Sequence, residues 1–576
     1  MRNQEVAEIF NDIADILEIK GDNPFRIRAY RRAAQNIDSF ARDVAETSPE
    51  ELQKIPGIGA DLAAKVQEYV QTGNLGFYDE LKKEVPPGLI DIMSVPGLGP
   101  KTAKLLFEKL HIKDIDDLEK QAKEGRLKSL PGIQAKTEEN ILKGIAVIRR
   151  HTGRFPIGRV LPVAEGILEK LREKAPVTKL NIAGSLRRWK DTVKDIDILA
   201  TSKHPNKVMD VFVHLPVIRE VLMKGPTKSS VVTQEGIQVD LRVVEEGSFG
   251  AALAYFTGSK EHNIRLREMA VRKGLKINEY GVFDVKTEKK LGGTYEDDVY
   301  KILGMPFIAP EMREDTGEIE AALEGSLPKL VSLEDIRGDL HVHTKSSDGS
   351  HDIQALIASA KAKGYEYLAI TDHSKGLAVA RGLSIEQVLE QHKKIKALNK
   401  KLKGFNLLSG TEMDIRSDGS LDYPDEVLKQ FDIVVASIHS GFRQSRDQIT
   451  KRILSAMKNP YVSVIAHPSG RIIGEREAYE IDMEDVLKSA KETGTGMEIN
   501  AYPLRLDLPD IYVKKAKQMD IMLSINTDTH VTFQFDFMAY GIGVARRGWA
   551  EKKDILNTRP YRMVLKWLKK KRPPKD

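Results

Sequence analysis

The stretch GSLRRWKDTVKDIDIL, residues 184–199, decides how the first half of the chain is read. Asp195 and Asp197 flank Ile196, so on a strand both carboxylates stand on one face. Downstream, IQVDLRV (237–243) is an apolar strand carrying Asp240, able to pair beside the first. Three convergent carboxylates repel one another unless cations lie between them. Two divalent ions, Mg²⁺ or Mn²⁺, are the natural complement, one to activate a hydroxyl and one to hold a triphosphate and its departing pyrophosphate. Gly184 and Ser185 suit a tight approach to a phosphate, and Arg188 supplies a positive partner. A lone Asp-x-Asp is commonplace on surfaces. The order Gly-Ser, Asp-x-Asp, then a distant strand Asp is much more specific.

N-terminal to this stretch, apolar residues recur at helical spacing, as in Val6, Ile9, Phe10, Ile13 and Leu17. Three related turns interrupt the helices: IPGIG (55–59), VPGLG (95–99) and LPGIQ (130–134). A Pro-Gly-x-Gly turn before a helix exposes backbone N–H groups at a positive helix end, which suits a phosphate and reads no base. Gly57, Gly59, Gly97 and Gly99 are therefore candidate contacts to a nucleic-acid backbone, whereas Gln134 weakens the third copy. These turns resemble helix-hairpin-helix motifs.

C-terminal to it, YFTGSKEHNIRLREMA (255–270) and INEYGVFD (277–284) complete a pattern that resembles a family X DNA polymerase over roughly residues 1–315. The resemblance implies that Asp195, Asp197 and Asp240 form the catalytic metal-binding triad. It places Gly184, Ser185 and Arg188 against the triphosphate, and Tyr255, Phe256 and Gly258 around the sugar. Asn263 would meet the incoming base and Arg267 the template. Lys65 falls where some relatives carry a Schiff-base lysine that removes a sugar phosphate, but Arg26 and Asp61 stand where phosphate-binding lysines would. Either Lys65 is a lyase nucleophile or it is a solvated helix lysine, and Asp61 favours the second.

Beyond residue 335 lie eight of the 13 histidines. Seven apolar strands can be marked there: GDLHVHT, YLAITDH, NLLSGTEMDI, DIVVASIHS, VSVIAHP, GMEINAY and IMLSINTDTH. Six carry a His, Asp or Glu at or near their C-terminal end and the seventh carries Asn500. In a β/α barrel that end forms the active-site face. The candidate ligands are His341, His343, Asp348, His373, Glu412, His439, His467, Asp528 and His530. Nine N/O ligands suit about three divalent ions, Mn²⁺, Zn²⁺ or Fe²⁺, with Glu412 bridging. His351 and His392 lie off the strand ends and are expected on the surface. Arg443, Arg471 and Arg505 follow strand ends, either clamping phosphate or decorating loops. The motif order HVH, SxxDG, TDH, E, H, HP, DxH resembles a PHP (polymerase and histidinol phosphatase) domain. That resemblance implies phosphoester hydrolysis: Mn²⁺-dependent 3′→5′ exonuclease action, with 3′-phosphatase or abasic-site cleavage as variants.

The expected plan is multidomain, α followed by α/β. A helical, lyase-like region with helix-hairpin-helix turns covers 1–85, and a second helical, fingers-like DNA-binding region 86–150. A nucleotidyltransferase palm covers 151–245 and a thumb-like α/β nucleotide-selection subdomain 246–315. A Pro- and Glu-rich linker at 316–336 leads to a distorted seven-stranded (β/α)7 barrel at 337–576. The basic end, LKWLKKKRPPKD, is expected to be a solvated tail. The 576 residues contain no cysteine, which excludes disulfides and thiolate metal sites. No apolar run is long enough to span a membrane, the N-terminus is not a signal peptide, and the expected location is cytoplasmic. The expected function is gap filling in DNA repair of the base-excision kind, by a monomer acting on gapped or primer–template DNA with dNTPs. The alternatives are a DNA-binding scaffold with only the phosphoesterase active, and a template-independent nucleotidyltransferase.

Overall fold

The computed structural model describes residues 2–573, apart from 39–43, 56, 73, 86–91, 93–94, 96–97, 99, 132, 134–136, 139–140, 143–144, 146–153 and 474–475. The first part is helical. Helices Arg2–Lys20 and Pro24–Asp38 pack with α1 (Ala60–Thr72) and later helices around a core that includes Phe10, Ile13, Leu17, Val66 and Leu106. The apolar stripe read from the sequence is the face that is buried, since leaving it in water would forgo the main favourable contribution to folding.

The palm is a five-stranded sheet. Its strands are β1 (Lys179–Ile182), β2 (Asp195–Thr201), β3 (Ile218–Lys224), β4 (Lys228–Thr233) and β5 (Gln238–Val244), in spatial order β1-β2-β5-β4-β3. The central pair β2–β5 is parallel and its neighbours are antiparallel. The short helix α2 (Gly184–Arg187) lies between β1 and β2. The thumb-like part follows as α3 (Phe249–Thr257), α4 (Lys260–Arg272) and a three-stranded antiparallel sheet of β6 (Leu275–Asn278), β7 (Gly281–Asp284) and β8 (Lys290–Gly292).

The barrel has seven parallel strands in sequential order: β9 (Gly338–Asp339), β10 (Tyr367–Ile370), β11 (Asn406–Asp414), β12 (Ile433–Ser437), β13 (Val464–Ile465), β14 (Gly496–Asn500) and β15 (Leu523–Asn526). A parallel bridge from Val342 to Thr529 draws the first and last strands together. The strands are buried on both faces, which is why they read as continuous apolar runs rather than alternating ones. Palm and barrel share one continuous hydrophobic core.

Three expectations need correction. The stretch read as a linker holds the helix Glu318–Leu323, buries Glu318 and ties Val331 N–H to Ala550 O at 2.9 Å; just before it Glu311 and Arg313 are buried too, and Arg546 Nε donates to Glu311 Oε1 at 2.7 Å. It is a packed strap between thumb and barrel. The basic end is docked as far as it is described. It begins as α5 (Tyr561–Lys569), which buries Val564 and Leu568. Lys571 Nζ then donates to Met457 O, Val462 O and Thr495 Oγ1. Finally, His392 is buried, with Nδ1 2.7 Å from Ser409 Oγ, and His351 is half-buried. A period-based reading counts charges along the chain and cannot see the carbonyls and hydroxyls that fold back to meet them.

Candidate active sites of the palm and the barrel

In the palm, parallel register sets Asp197 opposite Asp240, with Asp195 two residues before Asp197 on the same face of β2. Gly184 starts α2 with φ +66°, and a Cβ there would lie 2.4 Å from Asp197 Oδ2. Only glycine lets the turn approach the carboxylate so closely. Burial, then Asp195 and Asp240, push the Asp197 carboxyl up to about 7; burial and Asp240 raise Asp195. Lys228 Nζ, 3.6 Å from Asp240 Oδ2, is one protein cation near the group. Half-buried carboxylates raised by one another suit divalent cations.

Ser185 lies in α2, and Arg188 follows it. Arg188 donates through Nε to Glu314 Oε1 at 3.0 Å and through Nη1 to Thr257 O. Tyr255 and Phe256 end α3, their rings 5.1 Å apart, and Gly258 caps it with φ +66°. Asn263 Nδ2 donates to Tyr255 O at 2.7 Å, so it is tied to the same turn. Arg267 is exposed on α4, with Nε donating to Asn263 O at 3.2 Å. Sequence reasoning missed Arg187, which forks onto Glu296 at 2.6 and 2.7 Å and also reaches Thr257 Oγ1. Arg313 grips the same Glu296, and together the two arginines outweigh burial and lower its carboxyl. Nothing in the local spacing distinguishes Arg187 from Arg188.

In the helical region, Gly57 has φ +83° and Gly59 opens on free space just before α1. Gly97 and Gly99 lie outside the described residues. Lys65 is half-buried on its helix, its side chain 15% exposed, paired with the exposed Asp61 and 5.1 Å from the Phe77 ring centre. Arg26 lies over the same ring and pairs with Asp22.

At the barrel mouth, His341 and His343 follow β9, His373 follows β10, Glu412 lies two residues before the end of β11, His439 follows β12, His467 follows β13, and Asp528 and His530 follow β15. Asp348 enters from the loop after β9. Three groups gather with their ligand atoms within 4.8 Å of one another: His343, Asp348, His373 and His530; His341, His343, Glu412 and Asp528; and His373, Glu412 and His439. Glu412 Oε2 is 2.9 Å from His373 Nδ1 and 3.3 Å from His341 Nε2, while its Oε1 is 3.1 Å from His439 Nε2 and 3.0 Å from His467 Nε2.

The buried atoms His341 Nε2, both ring nitrogens of His343, His373 Nδ1, Glu412 Oε2 and Asp528 Oδ1 nevertheless make no hydrogen bond. Buried polar atoms without partners are costly unless something else satisfies them. Converging imidazole and carboxylate atoms are the donor set of a divalent ion. The protonation pattern agrees. Burial lowers His373 and His530, but Glu412 and Asp348 around the first, and Asp348 and Asp528 around the second, push them up to about 10 and about 9. His343, buried between His530 and His373, falls to about 4. The carboxylates demand positive charge at this mouth, and the barrel end is a divalent-metal site.

Glu498, absent from the sequence-derived ligand set, accepts from His341 Nδ1 at 2.8 Å and from the His467 N–H at 2.9 Å. Its one signal was an acidic residue inside the strand GMEINAY. Of the three arginines, Arg505 lines the same cavity as His373, Glu412, His439 and His467, with Nε 3.8 Å from Asp528 Oδ2. Arg471 instead reaches Asp191 of the palm and the carbonyls of Arg505 and Leu506. Arg443 is exposed.

A helical front, a palm with a paired acidic face, a thumb and a parallel barrel rimmed by His, Asp and Glu define a nucleotidyltransferase joined to a PHP-type phosphoesterase. Family models agree: a helix-hairpin-helix domain matches residues 1–75, a SAM-like helix-hairpin-helix tandem 89–146, a DNA polymerase beta thumb 252–314 and a PHP domain 339–501. The chain is 40% identical to the DNA polymerase/3′-5′ exonuclease PolX of Bacillus subtilis (strain 168), over 99% of this chain and 100% of that protein. It is 25% identical to rat DNA polymerase lambda over 54% of this chain and 56% of that protein. A probable phosphatase of Thermoanaerobacter sp. (strain X514) is 32% identical over 41% of this chain and 95% of its own length. The chain belongs to the family X DNA polymerases that carry a C-terminal PHP domain. Among the described residues, no helix is long and apolar enough to cross a membrane.

Proposed function

We propose that the chain fills short gaps in DNA with its palm and trims 3′ ends at its barrel. It is a DNA polymerase and 3′-5′ exonuclease that binds DNA through its helical and thumb regions. The observation that carries the division of labour is the presence in one chain of two separate acidic centres, the Asp197–Asp240 pair and the Glu412-centred mouth.

In the palm, Asp195, Asp197 and Asp240 would hold Mg²⁺ or Mn²⁺, and the nine barrel ligands three ions, Mn²⁺ foremost. Bound there, such ions supply the charge that acidifies an attacking hydroxyl or water and neutralises the phosphorane-like transition state. The chain's own residues place the substrates. Gly184 and Ser185 bring backbone to the triphosphate, and Arg188 meets its charge. Tyr255, Phe256 and Gly258 crowd the sugar so that a ribose 2′-hydroxyl lacks room, Asn263 meets the base edge, and Arg267 reaches the template. Gly57, Gly59, Gly97 and Gly99 hold the DNA backbone by main-chain N–H groups. The domain limits are those given above, with the 316–336 segment as a strap. The protein acts as a cytoplasmic monomer on gapped or primer–template DNA with dNTPs.

The test uses a 5′-labelled gapped duplex with Mn²⁺ and compares wild type with Asp195→Ala/Asp197→Ala and His341→Ala/His343→Ala. The first double variant should lose extension and keep shortening; the second should do the reverse. A His double variant that shortens the primer normally would remove the nuclease from the barrel.

A further inference from the structure

The end of the thumb-like part, the palm and the barrel meet at one carboxylate just before the strap. Glu314 Oε1 accepts from Arg188 Nε of the palm at 3.0 Å and from Arg547 Nη1 of the barrel at 2.9 Å. Lys190 Nζ lies 3.7 Å from its Oε2. Arg547 ends α6 (Met538–Arg547), which follows the last barrel strand. Its Nη1 also donates to the main-chain oxygen of Arg188 at 2.8 Å, and its Nη2 is 2.6 Å from Asp510 Oδ2. Between the two arginines, Trp189, at φ +56°, lies on Gly543 of the same helix, where a Cβ would be 2.5 Å from the indole. The residues that follow the nucleotide turn are therefore held by a helix of the nuclease barrel.

We propose that Arg547 is a positioning residue for the polymerase reaction: from the barrel, and through Glu314, it aims the Arg188 guanidinium at the incoming triphosphate. The proposal rests on the reading of Arg188 given above. Arg188 uses Nε on Glu314 and Nη1 on Thr257 O, which leaves Nη2 as the edge for a phosphate. Arg547 takes up part of the Glu314 charge. Without it, that charge falls on Arg188 and Lys190 alone and competes with the triphosphate for them. The Arg188 carbonyl, held by Arg547, fixes the backbone from which the guanidinium projects. A half-buried carboxylate shared by three cations also resists rotation, so the geometry is set before nucleotide arrives.

The experiment uses the full-length protein and measures kcat and KM for dNTP in single-nucleotide gap filling, with 3′→5′ shortening measured on the same preparations. Arg547→Met should raise the dNTP KM by about five- to tenfold, the range for a remote residue that modulates a site, while shortening stays at the wild-type rate. Arg547→Lys should recover part of the loss. Because Arg547 acts through Glu314, Arg547→Met/Glu314→Gln should be less impaired than the product of the two single effects. A dNTP KM within about twofold of wild type in both Arg547 variants overturns the proposal, and so does a parallel fall of both activities in Arg547→Lys. Arg188→Lys separates the two levels. If it leaves the dNTP KM unchanged, the triphosphate role of Arg188 fails and the proposal with it. If it raises KM while the Arg547 variants do not, only the positioning role fails.

Discussion

Glu498 accepts from His341 Nδ1 at 2.8 Å, which turns Nε2 of that ring toward Glu412 Oε2 and Asp528 Oδ1. With Glu498 as the acceptor, His341 puts its hydrogen on Nδ1 and leaves Nε2 facing the proposed metal site. The other contacts to Glu498 are donors too: His467 N–H at 2.9 Å, Asn526 Nδ2 at 2.8 Å and Asn500 Nδ2 at 3.2 Å. Glu498→Gln would set an amide N–H₂ against donors whichever way it turned. Mn²⁺ affinity and 3′→5′ shortening should fall about 10- to 100-fold, with gap filling unchanged. Metal titration and the two assays on one preparation check this. Unchanged shortening would mean that His341 is not held by Glu498.

Gly184→Ala should silence the palm alone. The added methyl would sit 2.4 Å from Asp197 Oδ2, at a φ of +66° that alanine avoids. Either the turn or the carboxylate must move. A shift of about 1 Å at a reacting centre can cost about a hundredfold, and extension should fall by that order. The nuclease should change little, because the turn lies outside the barrel mouth. Wild-type extension by this variant would show that the turn has slack.

Much of this was legible in the sequence, for identifiable reasons. Asp195 and Asp197 share a face because strands have a period of two, and that is visible in one line of text. The gathering of the barrel's His, Asp and Glu side chains was legible because parallel strands end at one rim, so each run need only be read to its last residue. Glu498 was not, because Asn500 already supplied a residue at that strand end and an inward carboxylate two residues earlier resembles any other interruption. Lys571 and Arg572 read as solvated charge, yet they donate to carbonyls more than 70 residues away in sequence. In AYGIGVARRGW nothing marks Arg547 as a neighbour of Arg188, 359 residues earlier. Local pattern reveals which groups share a face; it does not reveal which domain supplies a partner.

Binding of Mg²⁺ to the palm should release protons near neutrality. Burial, Asp195 and Asp240 hold the Asp197 carboxyl up to about 7, so below that pH it is largely protonated. A metal ligand must be ionised, and affinity therefore falls as pH drops below about 7, with proton uptake by the buffer where Asp197 is half-protonated. Calorimetry at pH 6.5 in buffers of different ionisation enthalpy should give heats that differ in proportion to those enthalpies, and the dependence should vanish in Asp197→Ala. Heats independent of buffer would place the Asp197 carboxyl in its ordinary range.

The Glu314 cluster should make the junction of palm and barrel sensitive to acid. Burial opposes the charge on Glu314, but Lys190, Arg547 and Arg188 outweigh it and hold the carboxyl far below its ordinary value of 4.5. The folded form therefore binds the proton more weakly than the unfolded chain. The stabilisation is fully present above about pH 4.5 and is lost progressively as pH falls from there toward the depressed folded value. Glu314→Gln removes the charge and leaves Arg188, Lys190 and Arg547 close together, which by general experience with broken buried pairs costs about 3–5 kcal/mol at neutral pH. Melting curves of wild type and variant from pH 7 to pH 3 should start well apart and draw closer below about pH 4.5, because the unfolded wild-type chain then takes up a proton that folded Glu314 still refuses. A gap that stays constant across that range would mean the carboxylate contributes by packing and not by charge, and the cations around it would then have to be balanced by Asp510 alone.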